Sequence, residues 1–299
     1  MKPAKFKYIR AETAAHAVEV LGAAGAGARV LAGGQSLIPA LSARLVKASL
    51  LIDIMRCPGL HEVSQDSERI TIGAACRQSR IEFTPAIQQS IPLLSEALGW
   101  VAMPQVRSRG TVVGCLAQAN AGAEVPVVAL ALDAQLNVLL RGGVPRRMAA
   151  RETYAVETGT HLPLQTLIIS ASFRTRAEGE GWGFSEVQLR QGHFALVCCA
   201  ATLLLDQNGR VRSAKIAIGG LTSNPYRADR AEEALIGQTA LDDASLRDVA
   251  QIAAAECPWL ARTDLHATAA FRSKTAVTAI LRALKDARSR CSLPEGNHA

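Results

Sequence analysis

The residues best suited to chemistry lie at 29–39, Arg-Val-Leu-Ala-Gly-Gly-Gln-Ser-Leu-Ile-Pro. An apolar stretch runs into Gly33 and Gly34, then the polar pair Gln35 and Ser36, then a helical pattern. Paired glycines permit a sharp turn and let a ligand approach the backbone closely. The amides of residues 34–37 then fall at a helix N-terminus, where free N–H groups and the helix dipole favour an anion. Ser36 adds a hydroxyl that can donate to a phosphate oxygen. The pattern is neither G-x-G-x-x-G nor a Walker A loop, which disfavours Rossmann and P-loop assignments. Taken alone, the same residues also suit a plain strand–helix turn.

A second segment, residues 106–126, reads as a long loop of small residues with hydroxyl and amide groups, closed by Glu124. Such a loop suits backbone contact with an extended ligand. Glu124 can accept hydrogen bonds from a ribose or ribityl hydroxyl. It equally suits a carboxylate facing a helix dipole just before Pro126 at the first helical position. His16, His61, His161, His193 and His266 fall in separate segments and read as surface or structural residues. No acid–base pair stands out.

The elements that must position these groups follow from periodicity. The first 55 residues read as strand–helix–strand–turn–helix–strand. The strands fall at 6–9, 29–32 and 50–54, and the helices after Thr13 and over 36–45. Thr13 is the expected N-cap of the first helix, which Gly22, Gly25 and Gly27 end. A strand is expected over 69–75, a helix over 91–101, and a strand over 136–140 closed by Gly142 and Gly143. The polar stretch 174–183 contains Gly179, Gly181 and Gly183 and reads as a linker or hairpin. Strands over 194–205 and 211–219 follow, with Asp206, Asn208 and Gly209 in the turn. Helices are expected over 231–235, 246–255 and 274–287. This organisation gives one domain over 1–176, with subdomains 1–55 and 56–176, and a second over 177–299.

Composition narrows the class. The 299 residues are 49% hydrophobic, enough for a large core, and only 4% aromatic, which weakens models built on stacked bases. Thirty-three Lys and Arg against 26 Asp and Glu give a net charge of +7. That excess suits an anionic partner, but the basic residues are scattered and no nucleic-acid-binding motif appears. Seven cysteines, Cys57, Cys76, Cys115, Cys198, Cys199, Cys257 and Cys291, include no C-x-x-C spacing. This argues against a disulfide scaffold, a zinc ribbon and an iron–sulfur cluster in this chain. The longest apolar run, 195–205, is too short to span a membrane. The N-terminus lacks the apolar region of a signal peptide. A cytoplasmic location is the expectation.

Several motifs in order resemble one known family. They are residues 32–37 (Ala-Gly-Gly-Gln-Ser-Leu), 107–111 (Arg-Ser-Arg-Gly-Thr) and 121–126 (Ala-Gly-Ala-Glu-Val-Pro). Arg190, Gly192, Phe194 and Ala195 follow, then Ile218, Gly219 and Gly220, then Asp264 and His266. The chain resembles, over nearly its whole length, the flavin-binding medium subunits of the molybdenum hydroxylases. These include the carbon monoxide dehydrogenase, quinoline oxidoreductase and xanthine dehydrogenase types. The resemblance implies an α+β chain: a two-subdomain FAD-binding fold of the vanillyl-alcohol-oxidase (PCMH) type, then a C-terminal domain with a three-stranded antiparallel sheet and helices. It implies FAD held by Val30, Leu31, Ala32, Gly33, Gly34, Gln35, Ser36, Leu37, Ala102, Thr111, Gly114, Cys115, Glu124, Arg190 and Phe194. The first glycine loop would wrap the pyrophosphate, Glu124 would contact hydroxyls, and Phe194 would lie near the isoalloxazine ring. It also implies two partner subunits, a small one with two [2Fe-2S] clusters and a large one with molybdopterin, in a dimer of heterotrimers. Electrons would pass from molybdenum through iron–sulfur to FAD and on to an external acceptor. This chain departs from the family pattern at Val113 and Cys115, where a second glycine and a Ser or Asn are usual, and at Asn120, Ala121 and His193. Bulk from Val113 beside the cofactor, and Cys115 in place of a better hydrogen-bond donor, motivate an alternative, a structural subunit with degenerate or weak FAD binding.

Overall fold

A computed structural model of the chain describes residues 2–155, 159–239, 241–259 and 261–292. The N-terminal elements are β1 (Lys7–Arg10), α1 (Ala14–Ala24), β2 (Ala28–Leu31), α2 (Leu37–Ser42) and β3 (Leu50–Asp53). They form a small parallel sheet in the order β1-β3-β2. Thr13 caps α1 as expected, its hydroxyl accepting from the His16 amide at 3.0 Å. The helix expected over 36–45 is shorter than its pattern and spans only six residues, with Pro39 tolerated in its first turn.

The next unit contains β4 (Val63–Gln65), β5 (Arg69–Gly73), α3 (Gln78–Glu82), α4 (Pro85–Ser90), α5 (Pro92–Trp100) and α6 (Pro104–Arg107). It continues with α7 (Val112–Gln118), α8 (Glu124–Ala131), β6 (Gln135–Leu140), β7 (Val144–Ala149), α9 (Ala150–Thr153) and β8 (Leu167–Arg174). Its five strands pair antiparallel in the order β4-β5-β8-β6-β7. The stretch expected to be one long loop therefore contains two helices. Thr111 caps α7, accepting from the Gly114 amide at 3.0 Å. In α8, Glu124 is the first residue and Pro126 the third.

The last unit contains β9 (Gly181–Val187), β10 (Val197–Leu205), β11 (Val211–Gly219), β12 (Tyr226–Arg227), α10 (Asp229–Leu235), α11 (Asp243–Ala255) and α12 (Ala269–Ser289). The expected three antiparallel strands are present as β9, β10 and β11, with the two-residue β12 added at one edge. Gly181 and Gly183 belong to β9 and not to a linker. A Cβ at either would overlap the carbonyl of Ala287 or Ala283 in α12, so glycine lets the helix lie close on the strand.

Alternation along β10 explains its unbroken apolar run. Cys198 and Ala200 face a cluster that includes Val18, Ile70, Leu94, Val127 and Phe173. Val197, Cys199, Ala201 and Leu203 face a second cluster built with α11 and α12. A sheet covered on both faces has no solvent side and needs no polar alternation. Among the described residues, no helix is long and apolar enough to cross a membrane.

Candidate functional site

Val30 and Leu31 lie in β2 beside Ile52 and Asp53 of β3, and the chain leaves the sheet directly into Gly33. A Cβ on Gly33 would overlap the Arg109 carbonyl and come within 2.8 Å of Gly110 Cα, so the two turns meet backbone to backbone. Gly34 takes a φ of 75°, a left-handed conformation suited to glycine. Gln35 donates from Nε2 to the Gly33 carbonyl at 3.2 Å, and Leu37 opens α2. The turn carrying Gly33, Gly34 and Gln35 stays partly open to solvent, and Ser36 is exposed.

The facing turn is pinned from behind. Gln78 donates its amide to the Gly110 carbonyl at 2.9 Å, and Arg77 donates to the Arg109 carbonyl. Gly114, in the first turn of α7, has Ala32 as a neighbour. Cys115, one residue on, lies beside Glu124; burial first and that carboxylate second push its thiol up, against a hydrogen bond from the Val125 amide. Val113 is 3% exposed and belongs to the main apolar cluster, so it presents little surface of its own to the open turns.

From Glu124 the track continues into the C-terminal half. Ala195 donates its amide to the Gly122 carbonyl at 3.2 Å, and a Cβ on Gly122 would come within 3.3 Å of Phe194 Cβ. Phe194 itself is 59% exposed. Gly220 donates its amide to the Ala121 carbonyl at 2.7 Å. Buried Arg272 grips this corner, donating to the carbonyls of Leu196 and Gly220 and to Asp264. Gly192 packs against Met103 and Ala102. There a cleft of about 620 Å³ opens, lined by Trp100, Ala102, Met103, Gln188 and Arg190 among others.

Arg107 holds the wall of that cleft. Its guanidinium forms a two-bond pair with Glu82 at 2.7 and 3.1 Å, while Nη1 donates to the carbonyls of Val101 and Ala102 at 2.9 and 3.1 Å. This fixes Ala102, whose φ of 43° is rare for alanine. The expected residues thus form a track and not a cluster: the first glycine turn at one end, Glu124 in the middle, Ala102, Arg190 and Phe194 at the other. Sequence reading missed Gln78, Met103, Trp100 and Glu186. For Glu186 the signal was its place in alternation with Trp182 and Phe184, on a strand face that proves to be buried.

Glu124 is 2% exposed. Burial pushes its carboxyl up to about 7, with its own amide and the Arg107 charge pulling the other way. A carboxyl in this setting, between an open glycine turn and an aromatic-edged cleft, suits hydroxyl groups along an extended, doubly ended ligand.

Two backbone turns facing each other, with a polar midpoint and a cleft beyond, suit an extended ligand that carries an anionic group. The FAD binding domain in molybdopterin dehydrogenase matches residues 4–173, and the CO dehydrogenase flavoprotein C-terminal domain matches residues 182–287. The 6-hydroxypseudooxynicotine dehydrogenase complex subunit alpha of Paenarthrobacter nicotinovorans is 36% identical over 97% of this chain and 97% of its own. The structure of carbon monoxide dehydrogenase from Hydrogenophaga pseudoflava lacking the Mo-pyranopterin moiety of its cofactor superposes with a TM-score of 0.93 at 30% identity, covering 98% of this chain and 100% of that one. Quinoline 2-oxidoreductase from Pseudomonas putida 86 gives 0.88 at 31%, covering 97% and 99%. The chain belongs to the FAD-binding medium subunits of the molybdenum hydroxylases, of carbon monoxide dehydrogenase type, and is an oxidoreductase subunit.

Proposed function

We propose that this chain holds FAD along the track and relays electrons from the [2Fe-2S] clusters of a small partner subunit to an external acceptor. A large molybdopterin subunit would perform the substrate oxidation, in a cytoplasmic dimer of heterotrimers. The observation that carries the reading is the track itself: Gly33 against Arg109 and Gly110, Gly114 against Ala32, Cys115 against Glu124, Gly122 against Phe194, Gly192 against Ala102.

The residues present fit the cofactor. The open turn at 33–36 offers backbone amides and the Ser36 hydroxyl to a pyrophosphate, with no side chain on Gly33 or Gly34 in the way. Thr111 uses one of its two oxygen lone pairs as a cap, which leaves its O–H able to donate. Glu124 accepts from hydroxyls of the ribityl or ribose chain. Trp100, Met103 and Leu189 give the cleft an apolar wall that sheds water, while Arg190 adds a positive charge at its rim. FAD, when bound, supplies reversible uptake and release of one or two electrons; the protein orients it and sets its surroundings. The alternative of a degenerate site drew on Val113 and Cys115, and the burial of Val113 weakens the first of these grounds.

The test is purification of the full chain, reconstitution with excess FAD, and release of bound flavin by denaturation. One FAD per chain is the expected result; a chain that retains none contradicts the reading. Native co-purification with iron and molybdenum analysis tests the assembly, and chains carrying neither metal would remove the relay from the proposal.

A further inference from the structure

A second buried carboxyl lies behind the track. Glu186 stands opposite Cys198 in the antiparallel pairing of β9 with β10. Residues directly opposite in such a ladder project to the same face. Cys198, with Phe184, Ala200 and Ala217, faces the cluster around α8, whereas Val187, Val197 and Cys199 face α12. Glu186 therefore projects from the sheet face that α5 covers at β9 and α8 covers at the neighbouring β10. It is 6% exposed, and neither of its carboxyl oxygens has a hydrogen-bond partner among the described residues. One residue past the end of β9, on the same face, Gln188 lines the cleft, and its Oε1 is also buried without a partner. Phe184, Glu186 and Gln188 thus form a row leading from the core to the open cleft.

An unpaired carboxylate is strongly unfavourable in such a place. The groups facing it offer no relief. From β10 comes the Cys198 thiol, and from α8 comes Glu124, whose charge bears on Glu186. Arg107 of α6 acts on Glu124 but is already engaged by Glu82 and two carbonyls, and Glu124 in turn raises the Cys115 thiol of α7. Glu96 of α5 and Arg290 near the end of α12 pair with each other at the Trp182 end of the strand.

We propose that Glu186 and Glu124 form a buried carboxyl pair that keeps one proton above neutrality, with Glu186 the proton-holding partner. Glu186 is then a positioning residue: it leaves Glu124 as the acceptor for a cofactor hydroxyl and makes cofactor binding sensitive to pH. The second half of this statement rests on the reading of Glu124 as a flavin-binding residue. Burial first and the Glu124 charge second push the Glu186 carboxyl up to about 9, so the pair keeps a proton through neutrality. Cofactor covering the cleft would exclude water from the pair. A second anion would then cost more in the complex than in the free chain, and affinity falls as the last proton leaves.

The test combines two measurements on the full chain and its variants Glu186→Gln and Glu124→Gln. Infrared spectra of the ligand-free chain across pH should show a protonated-carboxyl stretch at neutral pH that vanishes only near pH 9. Glu186→Gln should remove that component; Glu124→Gln should keep it but move its loss to lower pH, since the anionic neighbour is gone. FAD affinity, followed by flavin fluorescence quenching, should fall about tenfold between about pH 8 and 10 in the wild type and stay level in Glu186→Gln. A protonated carboxyl that survives unchanged in Glu186→Gln, or is absent from the wild type at neutral pH, overturns the pair. If Glu186→Gln does not fold, an unmoved band in Glu124→Gln overturns it equally. Infrared changes as expected with no FAD binding at any pH would support the pair and overturn the flavin reading. FAD binding with the same pH response in Glu186→Gln as in the wild type would overturn the positioning role alone.

Discussion

Gly33 has no room for a side chain, because a Cβ there would overlap the Arg109 carbonyl. Gly33→Ala should therefore force the two turns apart and weaken FAD binding by about tenfold or more, measured by fluorescence titration. Val113 makes the opposite case. Its side chain is core, so Val113→Gly should cost about 3 kcal/mol of stability in urea denaturation, through the cavity and the helical glycine, while FAD affinity stays within about twofold. An affinity gain of tenfold in that variant would restore the degenerate-site alternative. Titration adds a third expectation. Glu124 and Glu186 hold protons in the folded chain up to about 7 and 9, against an ordinary 4.5. Between those limits the folded state binds more protons than the unfolded one, so the stability of the ligand-free chain declines as pH rises from about 5 to about 9. Glu186→Gln should flatten the upper part of that decline.

At the scale of elements, α7 is the hinge of the site. Thr111 caps it, and its backbone bridges to Arg77. Thr111→Val should remove about 1 kcal/mol through the lost cap and loosen the turn that faces Gly33, lowering FAD affinity several-fold. α7 is also where sequence reading failed. Gly114, Ala117 and Ala119 carry no marked periodicity, and Val112, Val113 and Leu116 are too few to declare a buried face by themselves. Gly181 and Gly183 misled for a related reason: glycine marks a turn in most contexts, but here it marks the close approach of α12, a partner about 100 residues away in sequence. By contrast the first sheet was legible nearly residue by residue. Its strands are short apolar runs separated by a capped helix and a glycine turn, and every contact that defines it lies within residues 7–53. The glycine turn and Glu124 were legible as types; Glu186 and the Arg107–Glu82 pair depend on pairings that only the folded chain brings about.

For the whole molecule, the joint between its halves lies at Trp182. The guanidinium groups of Arg176 and Arg290 each lie over its ring, at 5.2 and 5.0 Å from the centroid, and its Nε1 donates to Glu96 at 3.1 Å. Arg290 bonds Glu96 at 2.6 Å, tying the end of α12 to α5. The short turn at 175–180 is our proposed boundary between the FAD-binding and C-terminal parts. Arg290→Ala should cost about 1 kcal/mol, lower the melting temperature by a few degrees and shift the tryptophan emission to the red. A second feature governs how the molecule comes into being. β8 is the last strand of the five-stranded sheet to be synthesised, yet it lies at the centre, between β5 and β6. Until about residue 174 has left the ribosome, β4 with β5 and β6 with β7 are two separate ribbons with open edges. A nascent chain arrested before that point presents both edges to chaperones and to other nascent chains, and the wall behind the glycine turns closes only when β8 inserts between them.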